Sequence, residues 1–243
     1  MSDIITSQWS GESVNPGPSL EAVQGARDII SSYICQTPTW SPLSINSHGS
    51  LQHVKSVTLK LELLQYTGSF KLRATTLALS QISEKSSYKG VFAISAGNHA
   101  MAVSYTAKKF NTPCTVIMPT STPEVRQQFC RDMGASVVLL DSIEACFEKI
   151  DDFKRKDLYF IHPFEGETVA TGTGTLGLEI LEQAPETDVV VCAVGGGGLC
   201  GGIANIIKQL KLSCKVFAVE PEGANSMTRS FLSGKPESAG KIN

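Results

Sequence analysis

Apolar residues recur along the chain with two periods. Val57, Leu59, Leu61 and Leu63 alternate with polar neighbours, the period of a half-buried strand. The alternation stops at Thr67-Gly68-Ser69, which predicts a turn and a helix cap. Leu72, Thr76, Leu79 and Ile82 then recur at helical spacing, predicting a helix over 70–82. Upstream, Ser19 caps a predicted helix running to about residue 33, with Val23, Ala26, Ile30 and Tyr33 on one face. Residues 37–49 read as loop.

From Gly90 onward strands and helices alternate. Strands are predicted over 91–94, 114–118, 136–140 and 158–161, and helices over 98–110 and around Ile143, Phe147 and Ile150. Between the second and third strands, Thr122-Pro123-Glu124 predicts a helix start, with Thr122 as cap. Val125, Phe129 and Met133 form that helix's inner face and Gly134 its end. After His162-Pro163-Phe164 come a helix ending before Pro185, a strand over 188–194, a helix over 199–210 and a strand over 215–219. This order predicts an α/β fold of parallel sheets with helices on both faces and right-handed crossovers. The sheet regions before and after His162 are the candidates for two lobes.

Composition narrows the classes. Hydrophobic residues make up 42% of the 243 and charged residues 18%, enough for a large core. The net charge of −2, with no Lys/Arg run, excludes a nucleic-acid footprint. No apolar run is long enough to span a bilayer. Residues 1–18 are polar, lack a signal-peptide core and read as a disordered tail. The seven cysteines are odd in number, form no C-x-x-C pair and mostly fall in apolar segments, as buried free thiols of a reducing compartment would. The four histidines have no metal-ligand spacing among themselves. A soluble, cytoplasmic protein is expected.

Three stretches carry candidate chemistry. Lys71 falls in the first turn of its helix, where the positive end of the dipole disfavours an ammonium and burial would lower its pKa further. A free amine there is a nucleophile toward an aldehyde, whereas a solvated surface lysine is the plain alternative. Ser95-Ala96-Gly97-Asn98-His99 joins a strand to a helix, where converging N–H groups can hold a carboxylate, or simply make a tight turn. Gly195-Gly196-Gly197-Gly198-Leu199 lets the backbone wrap a phosphate at a helix N-terminus. The Walker pattern fails there, but Gly196, Gly198 and Gly201 match G-x-G-x-x-G, with Glu220 placed as a ribose-binding acid, so a dinucleotide unit competes. Thr171-Gly172-Thr173-Gly174-Thr175 reads best as close helix packing.

Taken in order, Thr67-Gly68-Ser69-Phe70-Lys71, the Ser95–His99 turn, His162-Pro163-Phe164 and the glycine turn resemble the pyridoxal-phosphate enzymes of fold type II. The similarity is to the serine/threonine dehydratase and serine racemase branch, and it runs from about Gln36 to the C-terminus. The resemblance implies a two-lobed enzyme, with residues 90–162 as a smaller substrate-binding lobe and 19–89 with 163–243 as a larger one. It implies that Lys71 bonds covalently to the cofactor's aldehyde carbon and takes the substrate's α-proton. Phe70 would line one ring face and Asn98 would bond the ring oxygen. Gly195, Gly196, Gly197, Gly198 and Leu199 would cradle the phosphate, and Ser95, Ala96, Gly97, Asn98 and His99 the carboxylate of a small amino acid. The implied reaction is ammonia-lyase chemistry on L-threonine or L-serine, with an amino-acid racemase, a β-replacing synthase of the same fold, or a truncated, inactive relative that binds cofactor or a partner subunit as alternatives. Racemases of this type look to place a serine where this chain has Ala96, which has no proton to return. The metal position of the branch, for Mg²⁺ or Ca²⁺, falls on Glu220 and the Ala224 carbonyl, with Ser226 in place of a carboxylate. Relatives of this kind continue past Asn243, which implies an incomplete larger lobe with uncovered apolar faces. A homodimer is the default assembly.

Overall fold

The computed structural model describes residues 17–42, 54–85 and 87–238. Most of the tail expected over 1–18 and the loop beyond residue 42, with His48 and His53, lies outside these.

Helix α1 (Leu20–Ile30) starts at Ser19, whose hydroxyl accepts from the Ala22 N–H, and buries Val23, Ala26 and Ile30. Strand β1 (Thr39–Trp40), inside the expected loop, pairs antiparallel with β2 (Leu59–Lys60). The strand predicted over 57–63 shortens to β2 because Glu62–Leu64 turns into a 3-10 helix, leaving Leu63 and Leu64 exposed. That turn swings the Glu62 carboxylate onto Arg73, a tertiary contact that outweighs the local alternation. Helix α2 (Lys71–Lys85) follows, with Lys71 as its first residue.

The next strands form one parallel sheet in the order β5-β4-β3-β6: β3 (Gly90–Ile94), β4 (Cys114–Pro119), β5 (Ser136–Leu140) and β6 (Leu158–Phe160). Every residue of β3 is buried, as expected for a parallel strand covered on both faces. The connecting helices are α3 (Asn98–Lys109), α4 (Glu124–Asp132), α5 (Ile143–Glu148) and α6 (Ile150–Lys154). Two expectations for α4 fail. Pro123, not Thr122, is the cap residue, and the Thr122 hydroxyl is buried without a partner. Its inner face is Gln127 and Cys130, while Val125 is 75% exposed. Gln127 can turn inward because its amide bonds the Thr122 carbonyl at 2.8 Å and its oxygen accepts from Arg131 at 2.9 Å.

Helix α7 (Glu167–Gln183) is the hub of the remainder. A Cβ on Gly172 would stand 2.6 Å from the Ala74 backbone of α2. A Cβ on Gly202 of α8 (Gly198–Leu210) would stand 2.1 Å from the Thr173 hydroxyl. The Thr171–Thr175 run thus serves close packing of α7 between α2 and α8, as its composition suggests. Strands β7 (Val189–Ala193) and β8 (Lys215–Val219) pair in parallel, and α9 (Ser226–Ser233) follows. Val190 packs toward α8, while Val189, Val191, Phe217 and Val219 are exposed on the other face. No described helix is long and apolar enough to cross a membrane.

Candidate active site

In the four-stranded sheet the chain steps outward from β3 to β4 and β5, then returns to the other side of β3 as β6. Such a reversal leaves a crevice beyond the carboxyl ends of the two strands on either side of it. Phe160, Ile161, His162 and Pro163 leave β6 there, and His99 enters from α3. With Phe70, Lys71, Gly198 and Leu199 they line one cavity of about 260 Å³.

Lys71 reaches this cavity from the first turn of α2. Its ammonium donates to the Pro163 carbonyl and lies 5.1 Å from the centre of the Phe70 ring. Burial lowers its pKa from the usual lysine value to about 8. Lys71 is thus a partly buried lysine whose surroundings favour the free amine more than water does.

The helix that presents Lys71 is anchored by a buried ion network that sequence patterning missed. Two residues along α2, Arg73 is fully buried. Its guanidinium donates to both Glu62 oxygens, at 2.9 and 2.7 Å, and to both Glu179 oxygens, at 2.7 and 2.9 Å. Burial alone would lower the Arg73 pKa, but the two carboxylates raise it. Lys60 adds a second cation, 2.6 Å from Glu179, so β2, α2 and α7 meet at one balanced cluster. Apolar periodicity gave no signal for it, because Arg73 lies off the Leu72, Thr76, Leu79 and Ile82 stripe and Glu179 is distant in sequence.

Two histidines frame the cavity. His99 is buried and donates from Nε2 to the Ile161 carbonyl at 2.9 Å. Burial, with Lys71 and His162 nearby, drives its pKa down to about 3, so it stays neutral. His162 accepts at Nδ1 from the Phe164 and Glu165 N–H groups, at 3.3 and 2.9 Å. That fixes its proton on Nε2, and burial lowers its pKa.

The structure brings Phe70, Lys71, His99, Gly198 and Leu199 to the cavity wall, whereas Ser95, Ala96, Gly97, Asn98, Gly195, Gly196 and Gly197 lie outside it. The first of these turns sits at the carboxyl end of β3. The Ser95 hydroxyl accepts from the Gly97 N–H at 3.1 Å, and Asn98 is exposed at the start of α3. Arg126 of α4, also missed in the sequence, donates to the Ala96 carbonyl at 3.0 Å and so braces the turn. In the glycine turn, Gly197 has φ +84°, a left-handed conformation that favours glycine. The Phe164 ring covers Gly196, where a Cβ would stand 2.1 Å from it. Among the described residues, nothing accepts a hydrogen bond from the N–H groups of Gly195, Gly196 and Gly197. Free amides at the positive end of α8 suit a phosphate, and a buried amine suits an aldehyde, so the residues present fit pyridoxal phosphate.

Glu220 sits at the start of α9. Its carboxylate accepts from the Met227 and Thr228 N–H groups, each at 2.8 Å, and from the Thr228 hydroxyl at 3.0 Å, capping α9. Ala224 lies in the short 3-10 turn before that helix. Among the described residues no group of three or more His, Cys, Asp or Glu side chains could hold a metal ion.

Comparison with known proteins shows the family. The family model described as pyridoxal-phosphate dependent enzyme matches residues 30–242. A phenylserine dehydratase of Ralstonia pickettii is 36% identical over 226 residues, covering 93% of this chain and 68% of its own length. An L-threonine ammonia-lyase of Thermotoga maritima is 40% identical over 183 residues, covering 74% of this chain, which spans only 46% of that protein. The solved maize serine racemase superposes with a TM-score of 0.86 at 30% identity, covering 92% of this chain and 68% of its own. The family model spans most of the chain and the racemase structure shares its fold, so the chain belongs to the pyridoxal-phosphate-dependent enzymes of fold type II.

Proposed function

We propose that this chain carries the site of an ammonia-lyase that converts L-threonine or L-serine to a 2-oxo acid and ammonia. The carrying observation is Lys71: a buried amine with a pKa lowered to about 8, in a cavity bounded by the start of α8. In this reading Lys71 holds pyridoxal phosphate by its aldehyde carbon, and the Gly195–Gly198 turn with Leu199 holds the phosphate. Phe70 lies on one ring face and Asn98 bonds the ring oxygen. When bound, the cofactor supplies a ring that disperses the negative charge left at the substrate's α-carbon. The Lys71 Nζ takes the α-proton, and the Ser95–His99 turn, braced by Arg126, orients the carboxylate. Residues 90–162 act as the smaller lobe, closing on the substrate to exclude water.

Racemisation is the second reading, favoured by the similarity to the maize serine racemase. Against it, Ala96 offers no proton.

The deciding experiment is the visible spectrum of the purified chain with pyridoxal phosphate, followed by borohydride reduction and peptide mapping. The expected result is a single label on Lys71, with 2-oxo acid and ammonia formed from L-threonine or L-serine. A label scattered over surface lysines would overturn the reading. D-serine formed from L-serine faster than pyruvate would favour the racemase.

A further inference from the structure

Of the seven cysteines, Cys114, Cys130, Cys146, Cys192 and Cys214 are buried, while Cys35 and Cys200 are partly exposed. Alternate residues of β7 are buried, so Cys192 shares with Val190 the face turned toward α8. Cys200 is the third residue of α8 and precedes Ile203 and Ile207 by three and seven positions. That spacing places it on the helix face that packs against Val190. The end of the strand and the first turn of the helix thus bring two thiols together, one from each side of the glycine turn, close enough that each shifts the other's titration, while the Cys192 thiol also donates to the Phe217 carbonyl at 3.9 Å.

Their closeness makes the two thiols unequal. The neighbouring Cys192 thiol lowers the Cys200 pKa, while Cys200 and burial raise that of Cys192. Cys200 is therefore the more acidic thiol of the pair, at the positive end of α8 and partly exposed to a small oxidant. Cys114 and Cys130, the other neighbouring pair, are sealed in the core beside β3 and β4, and burial pushes Cys114 up to about 12.

We propose that Cys200 is an oxidation site with Cys192 as its resolving partner, and that a peroxide closes a disulfide between them across the glycine turn. The Cys200 sulfur attacks one peroxide oxygen and the O–O bond breaks. The leaving hydroxide takes a proton to become water, and Cys200 becomes a sulfenic acid. Cys192, its proton lost, attacks the Cys200 sulfur. The S–S bond forms, the S–O bond breaks and a second water leaves. The two thiols give up two electrons, which reduce the peroxide. The ring so closed contains all of Gly195–Gly198, so the oxidised form is expected to hold pyridoxal phosphate less well. That consequence rests on the phosphate assignment above; the disulfide does not.

The test treats the purified full chain with rising hydrogen peroxide, alkylates remaining thiols and maps the peptides by mass spectrometry. The expected result is a Cys192–Cys200 link formed at doses that leave Cys114 and Cys130 alkylatable. Cys200 should react at least about ten-fold faster than those two, as a thiol whose pKa is a unit or more lower would. In Cys192→Ala, dimedone should trap a sulfenic acid on Cys200; the wild-type map needs no variant and stands if Cys192→Ala misfolds. Oxidation of Cys200 no faster than of Cys114, or a link to any other cysteine, would overturn the proposal. Reductive trapping of pyridoxal phosphate on Lys71 in neither redox form would instead count against the proposed function and leave the mapped disulfide standing.

Discussion

The ring of Phe164 lies against the backbone of Gly196, so the segment leaving β6 touches the turn that opens α8. A methyl group at Gly196 has no room unless the ring moves. Gly196→Ala should lower stability by about 1–3 kcal/mol through overpacking. Urea denaturation should show this as a reduced midpoint. Adding Phe164→Ala should recover much of the loss, because residues in contact are non-additive.

Lys71→Met should abolish borohydride-stable labelling by pyridoxal phosphate while the chain stays folded. It should also change the pH dependence of stability. The folded-state pKa of Lys71, about 8, lies below the unfolded value of 10.5, so the unfolded chain binds more protons between them. Wild-type stability should therefore rise relative to Lys71→Met as pH increases from about 8 to 10, read from urea midpoints at each pH. Equal slopes in the two proteins would contradict the buried amine.

Arg73→Met should be among the most damaging single changes outside the cavity. It leaves the Glu62 carboxylate with the Thr37 hydroxyl but no cation, and Glu179 with Lys60 as its cation. Removing one partner of a buried ion pair costs about 3–5 kcal/mol. Since α2 also loses its anchor, Lys71 labelling should become slower, measured by single-dose trapping under folded conditions.

Two adjacent glycines of α8 should respond in opposite directions. A Cβ at Gly201 meets nothing within 4 Å, so Gly201→Ala should stabilise by up to about 1 kcal/mol through helix propensity. A Cβ at Gly202 would collide with the Thr173 hydroxyl and the Ala170 carbonyl, so Gly202→Ala should destabilise by about 1–3 kcal/mol. Thermal melts of the two variants, run side by side, check the sign.

Glu220→Ala should cost about 1 kcal/mol, the usual loss for a removed helix cap. The effect should be local, seen as faster hydrogen exchange at the Met227 and Thr228 amides while those of β7 and β8 are unchanged.

The α/β alternation was legible because each element after Gly90 carries its own period, and the limits of β5 and β8 match their predicted ranges. Lys71 and the glycine turn were legible for a different reason: their chemistry is local to one turn of backbone. What stayed hidden depends on partners distant in sequence. Arg73 reads as a surface residue until Glu62 and Glu179 are placed beside it. The N–H groups of α9 from which the Glu220 carboxylate accepts were likewise not readable from local spacing. The inward turn of Gln127 follows from bonds to the Thr122 carbonyl and Arg131, which apolar periodicity does not register.

The cavity draws its wall from segments spread along the chain, from Phe70 and Lys71 to Gly198 and Leu199. On the ribosome, Lys71 emerges well before the last of its neighbours. At about 5–20 residues per second, the 128 residues from Lys71 to Leu199 take roughly 6–26 s to synthesise. Through that interval Lys71 has no glycine turn beside it, so on the function proposed above a nascent chain cannot draw on that turn to hold the cofactor before α8 has been made.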